Sequence, residues 1–327
     1  MKKYISPFSF LLFLVLSTCL SNVEAAYIFK NGSIIDVKDA ATLPLQEHYN
    51  LGIEALKQKK WPEAVHQFRI VTINFPDADL AIEALYYLGV SYYNTKDVDL
   101  ANKNFTKYLE VHKSPKHFES VFRYKLAIAD AFKAGAKKHL FNQEKLPQWF
   151  ESKEEAIRIY DEIISSLPNH DLAAKALCSK ADLHRLESDF KASIQDHQAI
   201  IKKFPKTEQA LQSYVKIAEV ALEECQVEFQ NPDILALAQI NLKKLMQDFP
   251  RAATQIQTAQ SCIAAMNEVY AKGLYETGQL YERKKEPKAS VLYYHQAITE
   301  FPETKVASDA KARMKVLESY AEELHIQ

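Results

Sequence analysis

Glycine is scarce in this chain of 327 residues. Only six occur, at Gly32, Gly52, Gly89, Gly135, Gly273 and Gly278, and no two are arranged as GxG. Nucleotide enzymes need glycine in their phosphate loops so that backbone N–H groups can reach the ligand. The segment from Gly273 to Gln279 has P-loop spacing but carries Gln where the phosphate-binding Lys should stand, which excludes that chemistry. Cysteine is equally sparse, with Cys178, Cys225 and Cys262 beyond Cys19. Three separated thiols cannot all pair within one chain, and none has metal-ligand spacing. They sit among alanines and leucines and read as small buried hydrophobes. Charge of one sign is not in excess: 41 Lys/Arg stand against 42 Asp/Glu, a formal −1. The basic field that drives nucleic-acid affinity is therefore missing. No histidine pair forms HExxH, no serine lies in a G-x-S-x-G elbow, and pairs such as Glu154–Glu155 and Glu223–Glu224 read as solvated helix faces. Neither an enzyme nor a cofactor, metal or nucleic-acid partner is expected.

The first residues read as a targeting signal. Lys2 and Lys3 precede an apolar stretch from Phe8 to Leu16, followed by a more polar run to Val23-Glu24-Ala25-Ala26. The stretch is too short for a membrane span, which needs about 20 apolar residues, and no later apolar run reaches that length. Two cleavage readings stand side by side. Val23-x-Ala25 suits ordinary signal peptidase, with residues 1–25 removed and the mature chain starting at Ala26. Leu16-Ser17-Thr18-Cys19 is similar to a bacterial lipobox, in which residues 1–18 are removed and Cys19 is acylated; Thr18 departs from the usual Gly, Ala or Ser. Residues 26–43 are expected to form an extended linker.

The remainder, 44–327, repeats itself. Six of the 12 prolines follow an apolar helix pattern: Pro76, Pro115, Pro168, Pro205, Pro250 and Pro302, at intervals of 39, 53, 37, 45 and 52 residues. Small residues stand 12 positions upstream at Ala64, Ala156, Ser193, Ala238 and Ser290, with Ala101 as the counterpart in the second repeat. Four residues later comes a bulky side chain: Phe68, Phe105, Tyr160, His197, Leu242 and Tyr294. Twelve residues before the small residue stands another, at Gly52, Gly89, Ala181 and Gly278. Two antiparallel helices can cross closely at such small residues, while the bulky residue one turn on fills the gap. Pro62 and Pro287 stand where second helices begin, a place where a missing N–H costs nothing. The pattern resembles the tetratricopeptide repeat. It predicts an all-α superhelix of about six helix pairs, over 44–75, 81–113, 118–167, 171–204, 207–249 and 253–301. A capping helix from Lys305 to about Leu324 closes the stack. Insertions are expected at 136–151 and 226–234.

A stack of this kind offers a surface of first helices to extended peptides or domains, and aromatics there can act as anchors. Tyr49, Tyr86, Tyr92, Tyr93, Phe122 and Tyr124 are the candidates for such a groove.

Several segments are similar to BamD, the outer-membrane-assembly lipoprotein family of Gram-negative bacteria. They are Tyr49 to Lys57, Trp61 to Ala64, Ala84 to Tyr93, the insertion after Ala134-Gly135 leading to Ala156, and Tyr281 to Ala289 with Phe301 to Thr304. The family usually has five repeats, one fewer than the pattern counted here. The resemblance implies a scaffold at the periplasmic face of the outer membrane, tied to its inner leaflet if Cys19 is lipidated. Its partners would be the periplasmic domains of a β-barrel insertase and the C-terminal signals of unfolded outer-membrane proteins, received by the groove of the first three repeats. The rival reading is a soluble periplasmic repeat adaptor of the Tol–Pal or envelope-coordination type.

Overall fold

The computed structural model describes residues 27–30, 33–111, 114–139, 147–227 and 231–325. Cys19 and the Ala25–Ala26 cleavage point lie outside them. Among the described residues are 13 α-helices, and the chain divides into two compact units, 1–124 with 138–148, and 125–137 with 149–327. The first unit holds a hairpin of β1 (Tyr27–Lys30) and β2 (Ser33–Asp36), then α1 (Leu45–Lys57), α2 (Trp61–Asn74), α3 (Asp79–Asn94) and α4 (Val98–Val111). The helix α5 (Phe118–Lys133) contains the division. Two short strands, β3 (Lys137–His139) and β4 (Gln148–Glu151), occupy the expected first insertion. The second unit continues with α6 (Lys153–Ser166), α7 (Asp171–Leu186), α8 (Phe190–Lys203), α9 (Glu208–Val227), α10 (Pro232–Asp248), α11 (Ala253–Arg283), α12 (Pro287–Glu300) and α13 (Lys305–His325). The all-α helix-pair architecture read from the sequence is the one observed.

The small–aromatic pattern is what holds each pair together. A Cβ built on Gly52, Gly89 or Gly278 would lie 2.7, 2.7 or 2.6 Å from ring carbon Cε1 of Phe68, Phe105 or Tyr294 respectively. Each of these rings is fully buried, and Ala64 and Ala101, one turn before Phe68 and Phe105, are sealed as well. Pro62, Pro232 and Pro287 all stand in the first turn of second helices.

In four of the repeats the turn between the two helices is made without glycine, whereas the third uses Gly135 at φ 97°. Lys59, Lys96, Ser188 and Lys285 each follow a first helix with φ between 58° and 71°. The N–H after each donates back to the helix: Lys60 to Ala55 O at 2.9 Å, Asp97 to Tyr92 O at 2.9 Å, Asp189 to His184 O at 2.9 Å and Glu286 to Tyr281 O at 3.0 Å. This is the Schellman arrangement, in which a left-handed residue lets the last carbonyls of a helix find donors. The hydrogen bonds offset the roughly 1–2 kcal/mol that a side chain costs in that conformation.

Residues 26–43 are not simply an extended linker. Beyond the β1–β2 hairpin, which pairs Tyr27 with Asp36 and Lys30 with Ser33, a short 3-10 turn (Val37–Asp39) is strapped onto α2. Arg69 Nη2 donates to Asp39 Oδ2 at 2.6 Å. Asn74 Nδ2 donates to Asp39 O at 2.7 Å, and Asn74 Oδ1 accepts from Ala41 N–H at 3.2 Å. His48 Nε2 accepts from Thr42 and Leu43 N–H at 3.2 and 3.1 Å. Buried backbone groups need such partners, and α1 and α2 supply them from Asn74, 33 and 35 positions away, or from His48 across a short loop. Asn74→Ala is expected to loosen the strap by about 1–3 kcal/mol. Hydrogen-exchange mass spectrometry should then show amide exchange across 37–43 rising about fivefold or more, with α3 and α4 unchanged.

In the second unit, Lys125 is fully buried and donates to Glu162 Oε2 at 2.8 Å. Burial pushes its ammonium below the ordinary lysine range, against the pull of Glu162. Tyr160, the bulky residue of the third repeat, donates to Asp130 Oδ1 at 2.7 Å. At the far end Ala310, Met314 and Leu317 of α13 cover Tyr294 and Ala297 of α12. Arg313 Nε donates to Glu282 Oε1 at 2.9 Å, and Nη2 to Glu282 Oε2 at 2.5 Å. That fork, with Tyr294 also donating to Glu282 Oε1, holds the Glu282 carboxyl below the usual carboxylate range. The expected capping role of the last helix is thus performed by an apolar seam and a bidentate ion pair.

Candidate interaction surfaces

Six aromatics of the first unit were expected to line a groove, and the structure separates them. Tyr49 and Tyr86 are buried, and Tyr92 and Phe122 are only 4% and 1% exposed. Tyr93 and Tyr124 are half-buried. Tyr93 sits near the end of α3 and Tyr124 on α5, with ring centroids 5.1 Å apart in an edge-to-face contact. Tyr124 stacks in turn on Phe105 at 5.2 Å. The buried members pack between helices. Tyr49 meets Phe68 edge-on at 6.0 Å, Tyr86 stacks flat on the His117 ring at 4.0 Å, and Tyr86 Oη lies 3.0 Å from Ser120 Oγ. Phe122 meets Phe118 edge-on at 4.9 Å.

Glu83 and His117 were not singled out by the sequence pattern, yet with Tyr87 they complete this cluster. Glu83 stands one turn before Tyr87 on α3, so both share a face. A small cavity of about 240 Å³ opens there, bounded by Asp79, Ile82, Glu83, Tyr108, Lys116 and His117. Burial, and then the Glu83 charge, raises the phenols of Tyr49 and Tyr87 above the ordinary tyrosine range. Burial, and then Lys116, pushes the His117 imidazole down against the opposing pull of Glu83. His117 Nε2 lies 3.8 Å from Glu83 Oε1 and 21% of its side chain reaches solvent. The hollow carries the carboxylates of Asp79 and Glu83, the ammonium of Lys116, the His117 imidazole and the Tyr108 phenol. Acidic, basic and phenolic groups side by side suit it to polar recognition.

Cys225 and Cys262 are buried, as the sequence suggests, whereas Cys178 is half-buried. Cys178, Cys225 and Cys262 are free thiols. Burial raises Cys178 and Cys225 to about 11, which leaves them protonated and unreactive. His197 is buried at the bulky position of the fourth repeat. Among the described residues no group of His, Cys, Asp and Glu has a metal-binding arrangement, and no helix is long and apolar enough to cross a membrane. A larger cavity, about 1040 Å³, lies in the second unit between α10, α11 and α12; no sequence pattern pointed to it.

Residues 36–180 match the family model of the tetratricopeptide repeat. No curated protein matches the chain. Among solved structures it is similar to a tetratricopeptide repeat protein of Parabacteroides merdae, with 13% identity and a TM-score of 0.38, over 84% of this chain and 98% of that one. It is also similar to a TPR repeats protein of Bacteroides fragilis, with 14% identity and a TM-score of 0.42, over 84% and 100%. A Rap protein complexed with competence and sporulation factor aligns at 13% identity and a TM-score of 0.30, over 98% and 82%. The stretch that matches the tetratricopeptide-repeat family model, residues 36–180, spans α1 to α6 and most of α7, and its helix pairs are closed by the small–aromatic contacts described above.

Proposed function

We propose that this protein is a periplasmic, outer-membrane-associated scaffold of β-barrel assembly, binding insertase periplasmic domains and the C-terminal signals of unfolded barrel proteins. A tetratricopeptide array is an interaction scaffold, and the export-type segment before Ala26 directs this one to the envelope. The observation that carries the finer reading is the Tyr93–Tyr124 pair. Both rings lie on first helices of the second and third repeats, touch at 5.1 Å, and remain partly open to solvent. That is where the family resemblance would seat an aromatic-ended peptide, and paired aromatics give such a peptide an edge-to-face partner.

Two measurements test the reading together. In-cell crosslinking followed by mass spectrometry should recover a large outer-membrane β-barrel protein with repeated periplasmic domains. In vitro, Tyr93→Ala and Tyr124→Ala should each weaken a fluorescent peptide ending in Phe by about tenfold, the usual effect of losing a central aromatic anchor, without a matching loss of thermal stability. Recovery of peptidoglycan-binding or Tol-type proteins in place of the barrel would move the protein to the soluble adaptor class. Unchanged peptide binding in both variants would remove the groove.

A further inference from the structure

The first helix of the last repeat is out of proportion. α11 has 31 residues, whereas the first helices α1, α3, α5, α7 and α9 have 13 to 20. The interval from Pro250 to Pro302 is 52 residues against 37 from Pro168 to Pro205, so about four helical turns are added. They are added at the front. Ala259, Cys262, Ile263 and Met266 pack on α9 and α10, through residues such as Tyr214, Ala221, Ala238 and Leu245. The repeat signature lies in the back half, where Gly278 accommodates Tyr294 of α12. The last buried residue of α9, Cys225, belongs to the cluster that ends at Tyr270 and Ala271 of α11. Beyond that point no residue of α9 lines the groove.

In a helical repeat each first helix is normally covered by the repeat before it. Here the back half of α11 has outrun that cover. What remains, among the described residues, is the groove of about 1040 Å³, with Leu274 and Leu280 as its floor and Leu235, Tyr293 and Phe301 as its walls. Leu280 is 41% exposed. Arg283 stands at one end and makes no ion pair among the described residues; Glu300 stands at the other, where α12 returns beside Tyr270. Gly273 to Arg283 covers ~15 Å of helix axis.

We propose that this groove receives an amphipathic α-helix of a protein partner, its apolar face on Leu274 and Leu280, an acidic residue over Arg283 and a basic residue over Glu300. The floor residues follow helical spacing, at Leu274, Thr277, Leu280 and Arg283, so a helix can interdigitate along them. An extended peptide finds no sheet edge here, because the backbone groups of α10, α11 and α12 are already paired within their helices. The surface is concave, and two copies meeting face to face would leave a void between them, whereas a single helix fills it. The inference goes beyond the envelope reading and does not rest on it, since the tyrosines at issue there belong to the other unit.

The test uses the full mature chain and designed 14-residue fluorescent peptides of one composition, read by anisotropy. A Leu-faced helix with Glu in its first turn and Lys in its last should bind at least tenfold tighter than the same residues rearranged around a central Pro. Leu280→Asp should cut that binding tenfold or more with thermal stability unchanged, because Leu280 is already exposed. Arg283→Glu should transfer preference to a helix carrying Lys at both ends. Equal binding of the Pro-interrupted peptide, absence of binding by every helix, or indifference to Leu280→Asp overturns the proposal. A wild-type dimer in sedimentation that Leu280→Asp dissociates also overturns it, assigning the groove to a second copy of the chain.

Discussion

Gly89→Leu is expected to lower the stability of the first unit by about 3 kcal/mol, the upper end of what overpacking a core costs. At the usual slope for a unit of this size, the thermal midpoint should fall by roughly 10 °C. The Cβ alone would lie 2.7 Å from Phe105 Cε1 and 2.8 Å from Cδ1. That ring cannot step aside: it is fully buried, stacked on Tyr124 at 5.2 Å and tilted against Tyr86 at 6.1 Å. Gly89→Ala isolates the collision. Alanine favours a helix interior over glycine by about 1 kcal/mol, so a net loss of stability in this variant can come only from the contact with Phe105. Combining Gly89→Ala with Phe105→Leu should cost less than the sum of the two single changes, because the smaller side chain frees the space the methyl needs. Strict additivity in urea unfolding would show that the two positions do not meet.

The second large effect is a pH dependence carried by one buried imidazole. His197 of α8 is 3% exposed, and its nearest hydrogen-bonding group is Ser213 Oγ, 3.4 Å from Nδ1. Burial, opposed by the charges of Asp182 and Glu219 and assisted by Lys216, lowers its folded-state value from 6.5 to about 4. The unfolded chain therefore binds a proton at a pH where the folded chain does not. Stability contributed by the neutral ring is complete above about pH 7 and is lost as pH falls through 6.5 towards 4, reaching about 2 kcal/mol at about pH 5. His197→Leu places at this position the residue type that Leu242 supplies in the next repeat. Its denaturation midpoint should match the wild type near neutral pH and exceed it increasingly towards pH 5. Parallel pH profiles for the two proteins would show that the imidazole is not desolvated.

The helix pairs were legible because their determinants are close in sequence. Gly52 and Phe68, or Gly89 and Phe105, are 16 residues apart and meet whenever two adjacent helices fold back on each other, so their spacing carries the packing with it. The turns were less legible. Lys59, Lys96, Ser188 and Lys285 occupy left-handed positions where glycine would have announced the bend, and only the pair of hydrogen bonds around each reveals why a side chain is tolerated. The groove residues divided along a line that spacing could not draw. Tyr92 and Tyr93 are neighbours in sequence, yet one is buried and the other half open, because successive helical residues point about 100° apart and a neighbouring helix covers only one of them. Glu83 and His117 joined the cluster through α3 and the start of α5, which come together only when the second repeat is folded.

By itself the sequence determined the repeat type, the order of the helices and the places where they must cross closely, all consequences of side-chain size recurring at helical periods. Only the tertiary structure decided which of those helices are covered. The strap of 37–43 on α2 and the uncovered back half of α11 both depend on contacts between residues tens of positions apart. Solvent exclusion is a property of the packed neighbourhood, and no periodicity along the chain encodes it.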